Sequence, residues 1–178
     1  TGTNRANGNA PQPVELRTGS VDETRALGEN LGRLLVPGDV VLLHGALGAG
    51  KTAFAQGIAR GLDVTDPVNS PTFTILKEYE GWLPLYHFDL YRIDDPYELE
   101  ALGFADYFDG AGVSVIEWAE RGDVDGAAAT GVWPARWLRI RFERRGPSER
   151  ILRLTAAGAR GQALLAAFAR EAQASEVA

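Results

Sequence analysis

The 178-residue chain has no cysteine and only two histidines. Without cysteine there are no disulfides and no thiolate-held zinc, and two imidazoles are too few for a histidine-based metal centre. No stretch approaches the roughly 20 consecutive apolar residues that a membrane-spanning helix needs. The opening TGTNRANGNAPQP lacks the apolar segment of a secretion signal, so residues 1–13 read as a disordered leader or a vector-derived remnant. Together these absences point to a cytoplasmic protein with no membrane association. A broad basic face is missing too: the net charge is −6, which argues against a chain that grips nucleic acid by itself.

What is present is the composition of an ordinary soluble globule, 45 % hydrophobic and 24 % charged. The length suits one domain, expected over residues 14–158, followed by a helix and a frayed tail over 159–178. Val14–Thr18 reads as an edge strand. Ser20-Val21-Asp22-Glu23 fits a capping box, and Leu27, Leu31, Leu34 and Leu35 follow on one helical face until Pro37-Gly38. Thr72–Tyr79 and Leu83–Leu90 are β-rich and suggest an antiparallel hairpin. A short helix is predicted from Asp94 through Leu102, and an exposed loop over 124–130. A last hairpin joins Trp137–Phe142 to Ile151–Thr155, and Gln162–Ala172 is Ala- and Leu-rich and helical in pattern. Seven arginines between Arg136 and Arg153 face two glutamates, a local excess of about +5, and read mainly as solvated strand faces.

The most informative stretch is HGALGAGKT, His44–Thr52. From Gly45 it fits G-x-x-x-x-G-K-[ST], the loop whose backbone N–H groups surround phosphate oxygens. Its setting is the required one. Asp39–His44 is an apolar, β-branched run typical of a buried parallel strand, and Lys51–Arg60 reads as a helix ending at Gly61. The loop residues Gly45, Ala46, Leu47, Gly48, Ala49, Gly50, Lys51 and Thr52, with Ala53 behind them, are therefore the expected nucleotide cradle. Lys51 is expected at the β and γ phosphates, and Thr52 on Mg²⁺. The guanine-reading Asn-Lys-x-Asp is absent. The two D-x-x-G matches, at Asp109 and Asp123, follow no apolar strand, so ATP is the expected nucleotide. A second metal-side acid belongs at the end of another buried strand, and Val113–Glu117 supplies Glu117. The expected fold class is α/β: a three-layer P-loop NTPase-like fold with a mixed, roughly seven-stranded sheet.

Four stretches in order, GALGAGKT (Gly45–Thr52), SPTFTILKEY (Ser70–Tyr79), YHFDLYR (Tyr86–Arg92) and VIEWAE (Val115–Glu120), give a more specific resemblance. With DDPYELEALGFADYF (Asp94–Phe108), the sequence resembles the TsaE family over residues 14 to 155. These are small bacterial ATPases required for threonylcarbamoyladenosine modification of transfer RNA. The resemblance implies a switch segment at Ser70–Phe73 with Thr72 near the metal. It also implies Asp89 beside Mg²⁺ or the attacking water, and Glu117 as metal-side acid. Which of the two orients water stays open, and Asp89, Glu117 and Lys51 are all catalytic candidates, with Thr52, Glu117 and Asp89 the metal-side set. By the same resemblance Arg150 lies near the nucleotide, and Ser20 and Asp22 near the adenine. Trp118 stacks on a base, docks a partner or fills the core. The implied partners are the protein subunits TsaD and TsaB, with tRNA reached only through them and this chain a monomer when alone. A small-molecule kinase and a nucleotide-gated adaptor without turnover are the rival readings.

Overall fold

The computed structural model describes residues 13–69, 75–123 and 132–177. Among the described residues seven strands form one mixed sheet: β1 (Val14–Thr18), β2 (Val40–His44), β3 (Leu76–Tyr79), β4 (Leu85–Asp89), β5 (Val113–Glu117), β6 (Trp137–Arg144) and β7 (Arg150–Ala157). Their order is β1-β7-β6-β2-β5-β4-β3. The central four, β6, β2, β5 and β4, are parallel, and antiparallel pairs close both edges. Every residue of β2 and of β5 is buried, as expected for parallel strands covered on both faces.

Three helices cover one face: α1 (Val21–Leu34), α2 (Lys51–Gly61) and α5 (Gly158–Val177). They enclose a core with Leu31, Phe54, Ile58, Leu164 and Phe168. The other face is covered by α3 (Tyr97–Ala101), α4 (Phe104–Phe108) and a 3₁₀ turn at Ala119–Gly122, around Phe88, Leu99, Phe104 and Phe108. The molecule is thus the three-layer α/β fold that the sequence implies.

Several boundaries differ. The described part of the first hairpin is shorter than expected, with its strands at Leu76–Tyr79 and Leu85–Asp89. The helix α4 was not foreseen: Gly103, read as the end of the preceding helix, is instead the left-handed residue that starts α4. The last helix begins at Gly158 rather than Gln162, stays helical through Val177 where fraying was expected, and buries Leu164, Phe168 and Ala172. It belongs to the domain core and is no appendage. The leader, the switch segment with Thr72 and the 124–130 loop lie outside the described residues.

The α1 cap forms nearly as expected. Ser20 Oγ accepts the Glu23 N–H at 3.1 Å, while the Glu23 carboxylate reaches back to the N–H of Gly19, one residue before the cap. Gly61 does more than end α2. A Cβ at Gly57 would lie 2.0 Å from the Arg25 carbonyl oxygen, and one at Gly61 would lie 2.4 Å from that of Glu29. Gly28 and Gly32 on α1 meet the Phe54 and Ile58 carbonyls just as closely. Backbone therefore packs on backbone, and α1 fixes the helix that carries the phosphate loop.

Candidate functional site

The chain leaves β2 at His44 and enters α2 at Lys51. Gly48 and Gly50 turn it with φ of 76° and 110°, values at which a Cβ is strained. This turn aims the N-terminus of α2, with its positive dipole end, over the carboxyl edge of the parallel strands. There it floors a cavity of about 540 Å³, a volume that suits a nucleotide-sized ligand.

Parallel pairing sets the acids. Asp89 ends β4 and Glu117 ends β5, and the two are register partners on adjacent strands. Both side chains therefore project from the same face of the sheet at its edge, toward α2. Thr52 Oγ1 donates to Glu117 Oε1 at 2.9 Å, and Glu117 Oε2 lies 2.5 Å from His87 Nε2. Asp89 Oδ1 accepts the Tyr91 N–H at 3.0 Å.

Lys51 is 4 % exposed. Its ammonium donates to the Gly45 carbonyl and, at 3.5 Å, to that of Ala46, and it sits 3.5 Å from the centre of the Trp118 ring. Trp118 has a φ of 56°, a left-handed conformation that costs a non-glycine residue roughly 1–2 kcal/mol. Its ring packs on Tyr91 at 4.9 Å. It thus lines the cavity with one part of the ring and packs against the second core with the rest. The acid of the 3₁₀ turn, Glu120, accepts the Gly45 N–H at 3.0 Å.

Burial dominates the electrostatics. It lowers the Lys51 pKa, with Glu120, Glu117 and Asp89 pulling the other way. It raises the pKa of Asp89 against the Tyr91 N–H bond, and that of Glu120 against the Gly45 N–H bond. The site therefore resists holding either sign of charge on its own. A polyanion arriving with a divalent cation relieves both strains, because the anion favours charged Lys51 and the cation favours charged Asp89. The residues fit Mg²⁺ in this sense: one hydroxyl and two carboxylates, with substrate oxygens completing the shell. Among the described residues no group of three or more His, Asp or Glu side chains forms a self-sufficient metal cage, which is also the usual situation at an Mg²⁺–phosphate site.

The structure brings together most of the expected residues. Leu47, Gly48, Ala49, Gly50, Lys51, Thr52, Ala53, Asp89, Glu117 and Arg150 all line the cavity. Gly45 and Ala46 do not; they hold Lys51 and Glu120 instead. Arg150 lines the cavity and also donates to the carbonyls of Gly48, Gly146 and Glu149, which ties the loop to the β6–β7 turn. Ser20 and Asp22 lie outside the cavity wall, occupied in the α1 cap and in an exposed ion pair with Arg25. Val21 and Thr24 stand at the wall in their place, because successive helical positions turn about 100° apart. His87, Glu120 and Thr24 were not foreseen as site residues.

A sequence profile described as "Threonylcarbamoyl adenosine biosynthesis protein TsaE" matches residues 18–152. The chain belongs to the TsaE family. A Bacillus subtilis protein named tRNA threonylcarbamoyladenosine biosynthesis protein TsaE is 45 % identical over 152 residues, covering 85 % of this chain and 90 % of that one. The Mycobacterium leprae protein of the same name is 39 % identical over 143 residues, 72 % and 84 % of the two chains. Among solved structures, the crystal structure of Bacillus subtilis YdiB superposes with a TM-score of 0.72 at 38 % identity, covering 90 % of this chain and 96 % of that one. The family match spans β2, β4, β5 and the 3₁₀ turn, and every residue lining the cavity, from Val21 to Arg150, lies within it.

Proposed function

We propose that this protein is an Mg²⁺-dependent ATPase that serves threonylcarbamoyladenosine formation in tRNA by acting on a TsaB–TsaD pair. The observation that carries the reading is the Thr52–Glu117 hydrogen bond at 2.9 Å beneath the glycine loop. It joins the hydroxyl expected on the metal to an acid delivered by a separate strand. Bound Mg²⁺ supplies charge neutralisation at the β and γ phosphates. The loop N–H groups and the α2 N-terminus hold the phosphates, and Lys51 exchanges its loop carbonyls for phosphate oxygen. Glu117 keeps the Thr52 lone pairs aimed into the cavity. Asp89 or Glu117 positions the attacking water. Trp118 and Tyr91 wall off that end from solvent.

The arginines between Arg136 and Arg153 mostly find partners within the chain: Arg153 and Arg145 pair with Glu143, Arg139 with Asp123. That agrees with a protein of net charge −6 which leaves tRNA to other subunits. No described helix is long and apolar enough to cross a membrane. The test is phosphate release by the purified chain, alone and with TsaB–TsaD. Slow turnover alone and stimulation by the pair are expected. Phosphate passed to an organic acceptor would indicate a kinase, and silence in both conditions an adaptor.

A further inference from the structure

His87 is completely buried, on the middle of β4, yet among the described residues it makes one polar contact, the 2.5 Å approach of Nε2 to Glu117 Oε2. Its Nδ1 is buried and has no hydrogen-bond partner among the described residues. A buried polar atom left unsatisfied costs on the order of 1–3 kcal/mol, and an aliphatic residue at this position would avoid that cost. The neighbouring inward positions on β4 and β5, Leu85, Val113 and Val115, are all apolar. Packing alone therefore gives no reason for an imidazole here. The partner does. With Nδ1 bare, the ring proton sits on Nε2 and is donated to the carboxylate.

Glu117 is thus held at both oxygens: Oε2 by His87, Oε1 by the Thr52 hydroxyl. A hydroxyl that donates its hydrogen to Glu117 presents lone pairs, not a hydrogen, to a cation. Without the grip on Oε2, the carboxylate loses one of the contacts that set its plane, and the Lys51 ammonium, to whose charge it is coupled, draws it away from Thr52. We propose that His87 is a positioning residue that, acting through Glu117, holds the Thr52 hydroxyl in its metal-ligating orientation. Resting as it does on the ATPase reading above, the proposal places His87 in the layer behind the metal ligands. Loss of such hydrogen bonds typically lowers metal affinity or activity by 10- to 100-fold.

The test uses three variants of the full chain. Gln carries its amide nitrogen the same number of bonds from Cβ as His carries Nε2, so His87→Gln keeps a donor at the right reach. His87→Asn places its nitrogen one bond short, and His87→Leu has no donor. Affinity for adenylyl imidodiphosphate is measured by calorimetry with Mg²⁺ and with EDTA, alongside ATP turnover. For His87→Leu and His87→Asn, the expected result is wild-type binding in EDTA, a loss of about tenfold or more in the Mg²⁺-dependent gain, and a similar loss of turnover. His87→Gln should return to within about threefold of wild type. A His87→Leu protein with the full Mg²⁺ gain, or equal losses in the Gln and Asn variants, overturns the proposal. Should His87→Leu fail to fold, the Gln–Asn pair still decides. A wild-type protein that binds no nucleotide, or binds it without any Mg²⁺ gain, would instead sink the ATPase reading itself, and the proposal with it.

Discussion

The two histidines of this chain end up in equivalent burial and opposite chemistry. His44 closes β2 on the side of the sheet shared with Val40 and Leu42, and is 2 % exposed; His87 lies on the other side and is 0 % exposed. Around His44 the charges are mostly positive: Arg139, Arg141 and Lys51 add to burial and push its pKa from the ordinary 6.5 to about 3. Its nearest acid, Glu120, stays 3.9 Å away. His87 instead meets a carboxylate at 2.5 Å. The first is a neutral wedge behind the glycine loop; the second is coupled to the cavity's metal-side acid. Residue type and burial do not distinguish them. The sign and distance of the neighbour do.

The strongest way to break this contrast is to remove the acid that gives His87 its role. Glu117→Ala should retain nucleotide binding, because the loop N–H groups and Lys51 remain, while partner-stimulated turnover falls by two to three orders of magnitude. A mutant that turns over normally would leave His87 with nothing to position. Next in size is the frame behind His87's face. Gly57→Ala places a Cβ 2.0 Å from the Arg25 carbonyl oxygen, so α1 and α2 must separate. A loss of about 2–3 kcal/mol in denaturant unfolding is expected; an unchanged midpoint would show that the helices are free to slide.

How much of this was legible beforehand follows from how local each signal is. Strand, glycine loop and helix are contiguous from Asp39 to Gly61, and Glu117 ends a short, mostly apolar run, Val113-Ser114-Val115-Ile116, so both could be read directly. His87 could not. It sits in a run whose two faces are both buried, and its meaning depends on β5, some thirty residues on, delivering Glu117 to the neighbouring strand. The α1–α2 contact did leave a trace, glycines four apart on each helix at Gly28, Gly32, Gly57 and Gly61. Gly61, however, reads equally well as a helix stop. Ser20 and Asp22 were expected one helical step from the residues that actually face the cavity, since the family resemblance locates the helix start but not its rotation.

Acid titration sharpens the contrast from the His44 side. Its folded pKa lies below its unfolded value, so the unfolded chain takes up the proton first. Stability is full above about pH 6.5 and is lost as pH falls toward 3. The slope from this one group is about 1.4 kcal/mol per pH unit, or about 2 kcal/mol by pH 5. Asp89 and Glu120, whose pKa values are raised, act in the opposite direction: they favour the fold below the ordinary carboxylate range and lose that contribution as pH rises through their folded values. The clean measurement is therefore the difference between wild type and His44→Leu in urea unfolding from pH 7.5 to 4.5. The variant should lose the extra slope. Parallel curves would mean that His44 protonates without penalty and that its cationic surroundings do not matter.

The smallest effect is the most diagnostic of the loop's charge balance. Glu120 combines two jobs: its carboxylate accepts the Gly45 N–H, and its charge offsets Lys51. Glu120→Gln separates them, because the amide oxygen still accepts from Gly45 while the charge is gone. A carboxylate several ångströms from an incoming triphosphate repels it by roughly 0.5–0.7 kcal/mol per unit charge, even at the dielectric of water. Removing it should tighten nucleotide binding by about threefold for each net negative charge the bound nucleotide keeps, provided that the Gly45 bond is what shapes the loop. If binding weakens instead, the charge of Glu120 is needed to keep Lys51 protonated in a setting where burial lowers its pKa. The His44 side of the sheet would then be as electrostatically tied to the phosphates as the His87 side is to the metal.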